Sequence, residues 1–342
     1  MPHRTFIAVI LPSALAMLIF IALPIVSVVV QSLFIEHERV MVTAENCGPF
    51  GCKKESHVDE AATAELRRDQ PLGRFNGLGT YLDRKHLAAK EVREAFAEAS
   101  GPIDFLTRVG SLPLYKALGF TLAYTFVVTP LVLILGFMIA LAVNALPYFV
   151  KGPVIFASLL PMIITPLIGS LILFWMIDAN GIIGASLQAL FNDPDLSLKA
   201  SPTLTWITLM VYGVWHSAPF AFVVFYAGLQ TLPHDTLESA MIDGANRFER
   251  IRFVVLPHLM PLAIFVGLIQ LMDNFRVFEP IVGFNAGASA TSLSYAIYTD
   301  LRSTGAPLFG SAAATSMLTI IGICILMAPV LVRTWRDFKR RH

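Results

Sequence analysis

Six apolar stretches, each long enough to cross a bilayer, constrain this chain more than any other feature. They run Phe6–Leu33, Phe120–Leu146, Val154–Ile177, Leu204–Tyr226, Leu259–Phe278 and Leu308–Val332. A crossing takes about 20 residues. Hydrocarbon offers no water to an unpaired amide, so each stretch is expected to be a helix, and prolines such as Pro130 and Pro166 are to be absorbed by neighbouring helices. The first run exceeds the roughly 7–15 apolar residues of a secretion signal and reads as a retained helix. Composition agrees, with 56% of the 342 residues hydrophobic and 14% charged, against about 25% charged in soluble chains. The expected fold class is all-α, a polytopic transmembrane bundle of six membrane-spanning helices.

Lys and Arg in short loops set the orientation of such a bundle. Arg4, Lys151, Arg247, Arg250, Arg252 and the tail Arg333, Arg336, Lys339, Arg340 and Arg341 fall on one face, whereas the short loops of the other face carry Lys199 and Arg302. Both termini are therefore expected in the cytoplasm, in a multi-pass protein of the inner (plasma) membrane. The chain divides into a first transmembrane helix (1–34), a periplasmic loop or insertion (35–119) and a core of five helices (120–342) with a cytoplasmic tail (333–342). Within the outer loop, 87–99 is rich in Ala and Glu and predicts a helix, while 36–74 shows no clear hydrophobic period. Cys47 and Cys52 lie in this loop, and outside the cytoplasm a disulfide is the expected state, with free thiols as the alternative. One Cys pair with His57 nearby falls short of the four ligands of a structural zinc site, so no metal is expected. The net charge of +1, without a long basic run, gives no sign of nucleic acid.

The segment 228–261, between the fourth and fifth spans, is amphipathic and helical in pattern. Asp235 with Glu238 has the spacing of a capping box, Gly244 suits a left-handed helix end, and Asn246 with Glu249 repeats the cap spacing. Two short helices joined at Asp243-Gly244 are predicted, either as an interfacial hairpin or as a docking surface. Glu238-Ser239-Ala240, Gly244, Val254 and Leu256-Pro257 closely resemble the EAA motif of ABC importer permeases, with the spacing kept and Ser239 in place of the middle Ala. In that family the loop is a coupling helix seated in a cleft of an ATPase subunit. The resemblance implies that Glu238, Ser239, Ala240, Asp243, Gly244, Ala245, Leu256 and Pro257 transmit nucleotide-driven motion.

The resemblance extends over nearly all the chain from Phe75 onward and over the first span. Phe75-Asn76-Gly77-Leu78-Gly79-Thr80-Tyr81 looks like the segment after the first helix of sugar permeases, with Thr80 where Asn is usual. The stretch from Asn274 to Pro280, followed by Thr291, Leu293 and Tyr298, is similar to the fifth-span signature of the large permease of maltose-type transporters (MalF-like). Two departures stand out. Asn285-Ala286-Gly287-Ala288 replaces the usual Gly-Gly-Pro, and the outer loop is longer than usual.

Polar groups within spans are costly and are candidates for function. Gln270 and Asn274, four residues apart, share a helix face with Asp273 beside them, and His216 and Ser217 neighbour Phe220. A sugar needs amide or carboxylate partners and an aromatic or apolar wall. The maltose-type resemblance points to the same segments, so the expected solute path is His216, Ser217, Phe220, Gln270, Asp273 and Asn274. Asp273 and Arg276, three apart, are also placed to pair with each other, and Glu279 is expected to be solvated at the outer edge.

The chain has no GxxxxGK[ST], HExxH or GxSxG pattern. It is therefore expected to be a transport subunit rather than an enzyme, binding no cofactor itself, with ATP and Mg held by a partner ATPase. The expected assembly is a heterodimer with a second permease, two ATP-binding subunits, an external solute-binding protein and membrane lipid. The expected cargo is a sugar or sugar-like solute. A non-sugar solute is the first alternative, followed by an intramembrane enzyme or a passive channel.

Overall fold

The computed structural model describes residues 3–37, 40–48, 51–199, 201–303 and 307–341. In chain order the elements are α1 (His3–Met17), a π-helical turn Leu18–Ala22, α2 (Leu23–Gln31), β1 (Phe34–Ile35), β2 (Met41–Gly48), β3 (Gly51–Val58), α3 (Glu60–Asp69), β4 (Arg74–Phe75), α4 (Gly79–Leu82), α5 (Ala89–Glu98), α6 (Pro102–Gly110), α7 (Pro113–Asn144), α8 (Tyr148–Ile163), α9 (Pro166–Met176), α10 (Ile182–Phe191), α11 (Pro202–Gln230), α12 (His234–Ile242), α13 (Arg247–Arg250), a second π turn Ile251–Val255, α14 (Leu256–Phe275), α15 (Glu279–Gly283), α16 (Leu293–Leu301) and α17 (Phe309–Arg341). Among the described residues, five continuous helical stretches are long and apolar enough to cross a membrane: Val9–Gln31, Pro113–Asn144, Pro202–Gln230, Arg247–Phe275 and Phe309–Arg333.

The remaining expected span departs from a single helix. Val154–Ile177 is interrupted, and α8 and α9 meet at 93°. Pro166 disfavours helical backbone at the residue before it, and both Ile164 (ψ 129°) and Thr165 (ψ 145°) are extended. Other prolines, among them Pro130 and Pro219, stay inside continuous helix. Two donors from α11 capture carbonyls at the break. His216 Nε2–H donates to Ile164 O at 3.0 Å, and Tyr212 O–H donates to Pro166 O at 2.8 Å. The predicted fifth span also ends early. Arg276 leaves the helix, its N–H bonding Asp273 O, so 276–278 lie beyond α14.

Both π turns lie just before a proline, Pro24 in one case and Pro257 in the other. A proline ring clashes with the carbonyl four residues back. Here those carbonyls belong to Phe20 and Phe253, inside the widened turns, which give the rings room without a sharp break.

The chain forms two compact units, Met1–Lys116 with Ala296–Ile321, and Ala117–Tyr295 with Gly322–His342. In the first, the 36–74 region contains the β2–β3 hairpin and α3, whose N-cap Asp59 accepts from Ala62 N–H at 3.0 Å. Strand β1 pairs with β4, and Tyr81 O–H donates to the buried Ser32 at 2.6 Å. The Phe75–Tyr81 segment thus clasps the end of α2. The hairpin register sets Cys47 opposite Cys52, while the side chains on which the expected disulfide turns lie outside the described residues.

The second unit packs α7, α11, α14 and α15 around a core that includes Phe120, Val128, Leu209, Phe222, Leu259 and Ile281. At its α9–α11 connection, Lys199 lies 3.4 Å from the Phe174 ring centre and bonds Asp178 at 3.0 Å. That bond holds the Asp178 carboxyl below the usual carboxylate range.

Replacing either donor removes a hydrogen bond that ties α11 to the break. His216→Phe or Tyr212→Phe is expected to lower stability by about 1 kcal/mol, the scale of hydrogen bonds within membrane bundles. Thermal unfolding of the detergent-solubilised protein checks this, and a His216→Phe variant as stable as wild type would contradict it.

Candidate functional site

Toward one end of α7, α11 and α14 lies a cavity of about 460 Å³, lined by Tyr124, Pro166, Tyr212, Gly213, His216, Ser217, Asp273, Asn274, Arg276, Val277, Glu279 and Pro280. Each wall has a local cause. Gly213 has no side chain, so the hydroxyl end of Tyr124 reaches the α11 backbone; a Cβ there would sit 2.1 Å from the Tyr124 hydroxyl. The bend before Pro166 brings the start of α9 to the cavity. Short α15 is anchored to α9 where Ser170 Oγ lies between Leu167 O, at 2.9 Å, and Glu279 O, at 3.5 Å.

Of the six residues expected on a solute path, the cavity brings together His216, Ser217, Asp273 and Asn274. Phe220 packs against the core, and Gln270 is buried without lining this cavity. His216 therefore both borders the cavity and secures the helix break. Asn274 is 6% exposed and donates from Nδ2 to Thr129 Oγ1 at 2.9 Å, which fixes its amide. Asp273 and Arg276 pair at 2.9 Å, as their spacing allowed. Glu279, expected to be merely solvated, lines the cavity. Tyr124, Tyr212 and Glu279 are the lining residues that sequence reasoning missed. A tyrosine hydroxyl deep in an apolar span is a polar group in hydrocarbon, and that was the signal available.

A second feature stands at the opposite end of α14. Helix α12 begins after Pro233, whose backbone is extended and gives no side-chain cap, so Asp235 lies inside the first turn rather than capping it. There its charge still favours the positive helix start. The helix closes on Gly244, φ +80°, with Ala245 N–H donating to Ala240 O and Gly244 N–H to Met241 O, the paired bonds of a Schellman end. Asn246 then caps α13 in a full capping box, Glu249 N–H to Asn246 Oδ1 at 2.9 Å and Asn246 N–H to Glu249 Oε2 at 2.7 Å. Thr231 and His258 are 3.2 Å apart across the base of the loop.

Among the described residues, α12 buries none of its side chains. Glu238, Ser239, Asp243, Gly244, Leu256 and Pro257 are exposed, and Ala240 and Ala245 are half-buried. Ile242 is 86% exposed and Phe248 68%. Large apolar groups held open on a rigidly capped stub mark an interaction surface.

Comparison with known proteins points one way. Residues 116–336 match the family model described as binding-protein-dependent transport system inner membrane component. A probable ABC transporter permease protein of Sinorhizobium fredii is 29% identical over 247 residues, 70% of this chain and 76% of that one. The trehalose/maltose transport system permease protein MalF of Thermococcus litoralis is 31% identical over 182 residues, 51% of this chain and 60% of that one. A bacterial ABC transporter involved in import of the acidic polysaccharide alginate shares the fold, with a TM-score of 0.60 and 19% identity, over 81% of this chain and 99% of that one.

The capped stub makes a local prediction. Asn246→Ala should cost α13 about 1 kcal/mol of local stability. Hydrogen exchange should then speed up at the Glu249 amide and stay unchanged in α7. An unaltered Glu249 rate would show that the capping box contributes nothing.

Proposed function

Because this chain belongs to the family of inner-membrane components of binding-protein-dependent transport systems, we propose that its cavity forms part of a sugar path and that α12–α13 receives the stroke of an ATPase. The protein is a multi-pass inner-membrane permease subunit of an ABC importer, and its relatives are transport permeases rather than enzymes. The sugar assignment draws on the maltose-type relative and on a cavity that combines tyrosine faces with amide, hydroxyl and carboxylate groups, the mixture a sugar requires.

One observation carries the mechanism. Arg247–Phe275 is a single helical run of 29 residues, about 44 Å long at the usual rise. Its first turn is the capped part of the coupling loop, and its last turn bears Asp273 and Asn274. A push on the stub therefore has a continuous helical path to the cavity, softened at the π turn Ile251–Val255 and at Pro261. Alternating access needs an element contacted differently in two states, and such a rod answers that need.

In this reading both termini and the stub face the cytoplasm, and the cavity opens toward the outer half of the membrane, where an external binding protein delivers the solute. A second permease chain completes the path as a heterodimer, and two ATP-binding subunits hold ATP and Mg. This chain binds no cofactor. Glu238, Ser239, Ala240, Asp243, Gly244, Ala245, Leu256 and Pro257 form the ATPase-facing set.

Gly244→Pro should leave membrane insertion intact and abolish ATP-driven uptake in proteoliposomes, because the left-handed turn is closed to proline. Wild-type uptake by that variant would refute the coupling role. Asn274→Leu should assemble normally but lower solute-stimulated transport about tenfold or more, since it removes a fixed amide from the cavity. Failure to assemble, seen by gel filtration, would assign Asn274 to packing instead.

A further inference from the structure

We infer that the cavity selects hydroxylated solutes without an acid group, and that Glu279 is the charge that makes the selection. This rests on the reading of the cavity as part of the solute path.

The charged groups lining the cavity are Asp273, Arg276 and Glu279. Arg276 Nη2 lies 2.9 Å from Asp273 Oδ1, so that pair cancels. Glu279 has no cation within ion-pair distance among the described residues. The cavity therefore holds one uncompensated negative charge.

Its hydrogen-bonding supply suits a polyhydroxylated solute, and the charge alone sets the preference against acids. The His216 Nε2–H and Tyr212 O–H donors are spent on the carbonyls of the helix break, and Asn274 Nδ2 bonds Thr129. What faces the cavity is a mixed set, the acceptors of the Glu279 carboxylate and the Asn274 carbonyl oxygen, the Arg276 N–H groups that Asp273 leaves over, and the Tyr124 and Ser217 hydroxyls able to act either way. A sugar brings O–H donors that match this lining. A uronate or phosphate brings further acceptors and a like charge. An amine-bearing sugar gains twice, from the carboxylate and from the tyrosine faces. The volume of about 460 Å³ lies in the small-molecule range, which suits a short saccharide rather than a polymer in one step.

At the distances available inside such a cavity, and with an intermediate dielectric, one like charge weakens binding on the order of 10- to 100-fold. The competing possibility is that an anion turns Arg276 away from Asp273, since exposed pairs of this kind are held weakly.

Saturation-transfer NMR on the complete transporter in nanodiscs, without binding protein, decides between them. The probes are maltose, glucosamine, glucuronate and glycerol 3-phosphate at equal concentration. Wild type is expected to transfer saturation to maltose and glucosamine and about tenfold less, or weaker still, to the two anions. Glu279→Gln should raise the glucuronate-to-maltose ratio about fivefold or more. Equal signals from glucuronate and maltose in wild type would overturn the selection, as would a ratio unmoved by Glu279→Gln. No transfer to any probe, with ATP hydrolysis intact, would remove the cavity from the solute path itself, a failure visible separately from loss of charge preference.

Discussion

A carbonyl freed inside a membrane has no water to turn to, and that fact governs the second unit of this protein. The break at Ile164–Thr165 frees the Ile164 carbonyl, which His216 meets at 3.0 Å, and Tyr212 bonds the Pro166 carbonyl in the first turn of α9 at 2.8 Å. Without those donors the bend would cost more than packing returns, and continuous helix would be favoured. With them, α9 turns 93° from α8. The turned helix then packs closely on α15, where a Cβ at Gly283 would meet Ser170 Oγ at 2.1 Å and Leu167 O at 2.8 Å. One proline, answered by two side chains from another helix, thus brings both α9 and α15 to the cavity.

Helix α14 joins the two functional ends. Its last turn contributes Asp273 and Asn274, the latter locked by Thr129. Its N-terminal end is joined through a π turn to a box-capped α13, and a Schellman end with Gly244 at φ +80° closes the neighbouring α12. Caps at both sides of the turn make the stub rigid, while its apolar residues remain uncovered by this chain. A capped stub with uncovered apolar residues is the form that the proposed coupling role requires.

The first unit shows how a loop without hydrophobic period still orders itself. Tyr81 bonds the buried Ser32, and His86, 2% exposed, bonds Ser311 O at 3.1 Å. Lys85 lies 3.5 Å from Asp300, and Ser311 Oγ donates to Asp300 at 2.5 Å. Polar ties between residues far apart in sequence take the place of a core. Within 36–74 the ties are of the same kind, with Val40 N–H donating to Thr63 Oγ1 at 3.2 Å and Asp59 N–H to Val40 O at 2.8 Å, and they leave no periodic trace, which is why the region showed no hydrophobic period while the hairpin and α3 are plain in three dimensions.

The apolar runs and the cap residues of the coupling loop were decided by the chain itself, because length in hydrocarbon and hydrogen bonds over three to five residues are local constraints. Gly244, Asn246 and Glu249 act within one turn of where they stand, so their roles could be read in order. The cavity was different. Apolar helices are hydrophobic all round, so the sequence carries no rotational phase, and nothing local distinguishes Phe220, which faces the core, from Ser217, which faces the cavity. Pro166 breaks its helix whereas Pro130 and Pro219 do not, because donors from α11 stand opposite the first. Tyr124, Tyr212 and Glu279 meet at one place only after that bend is made, and a bend paid for by another helix is a property of the packed structure.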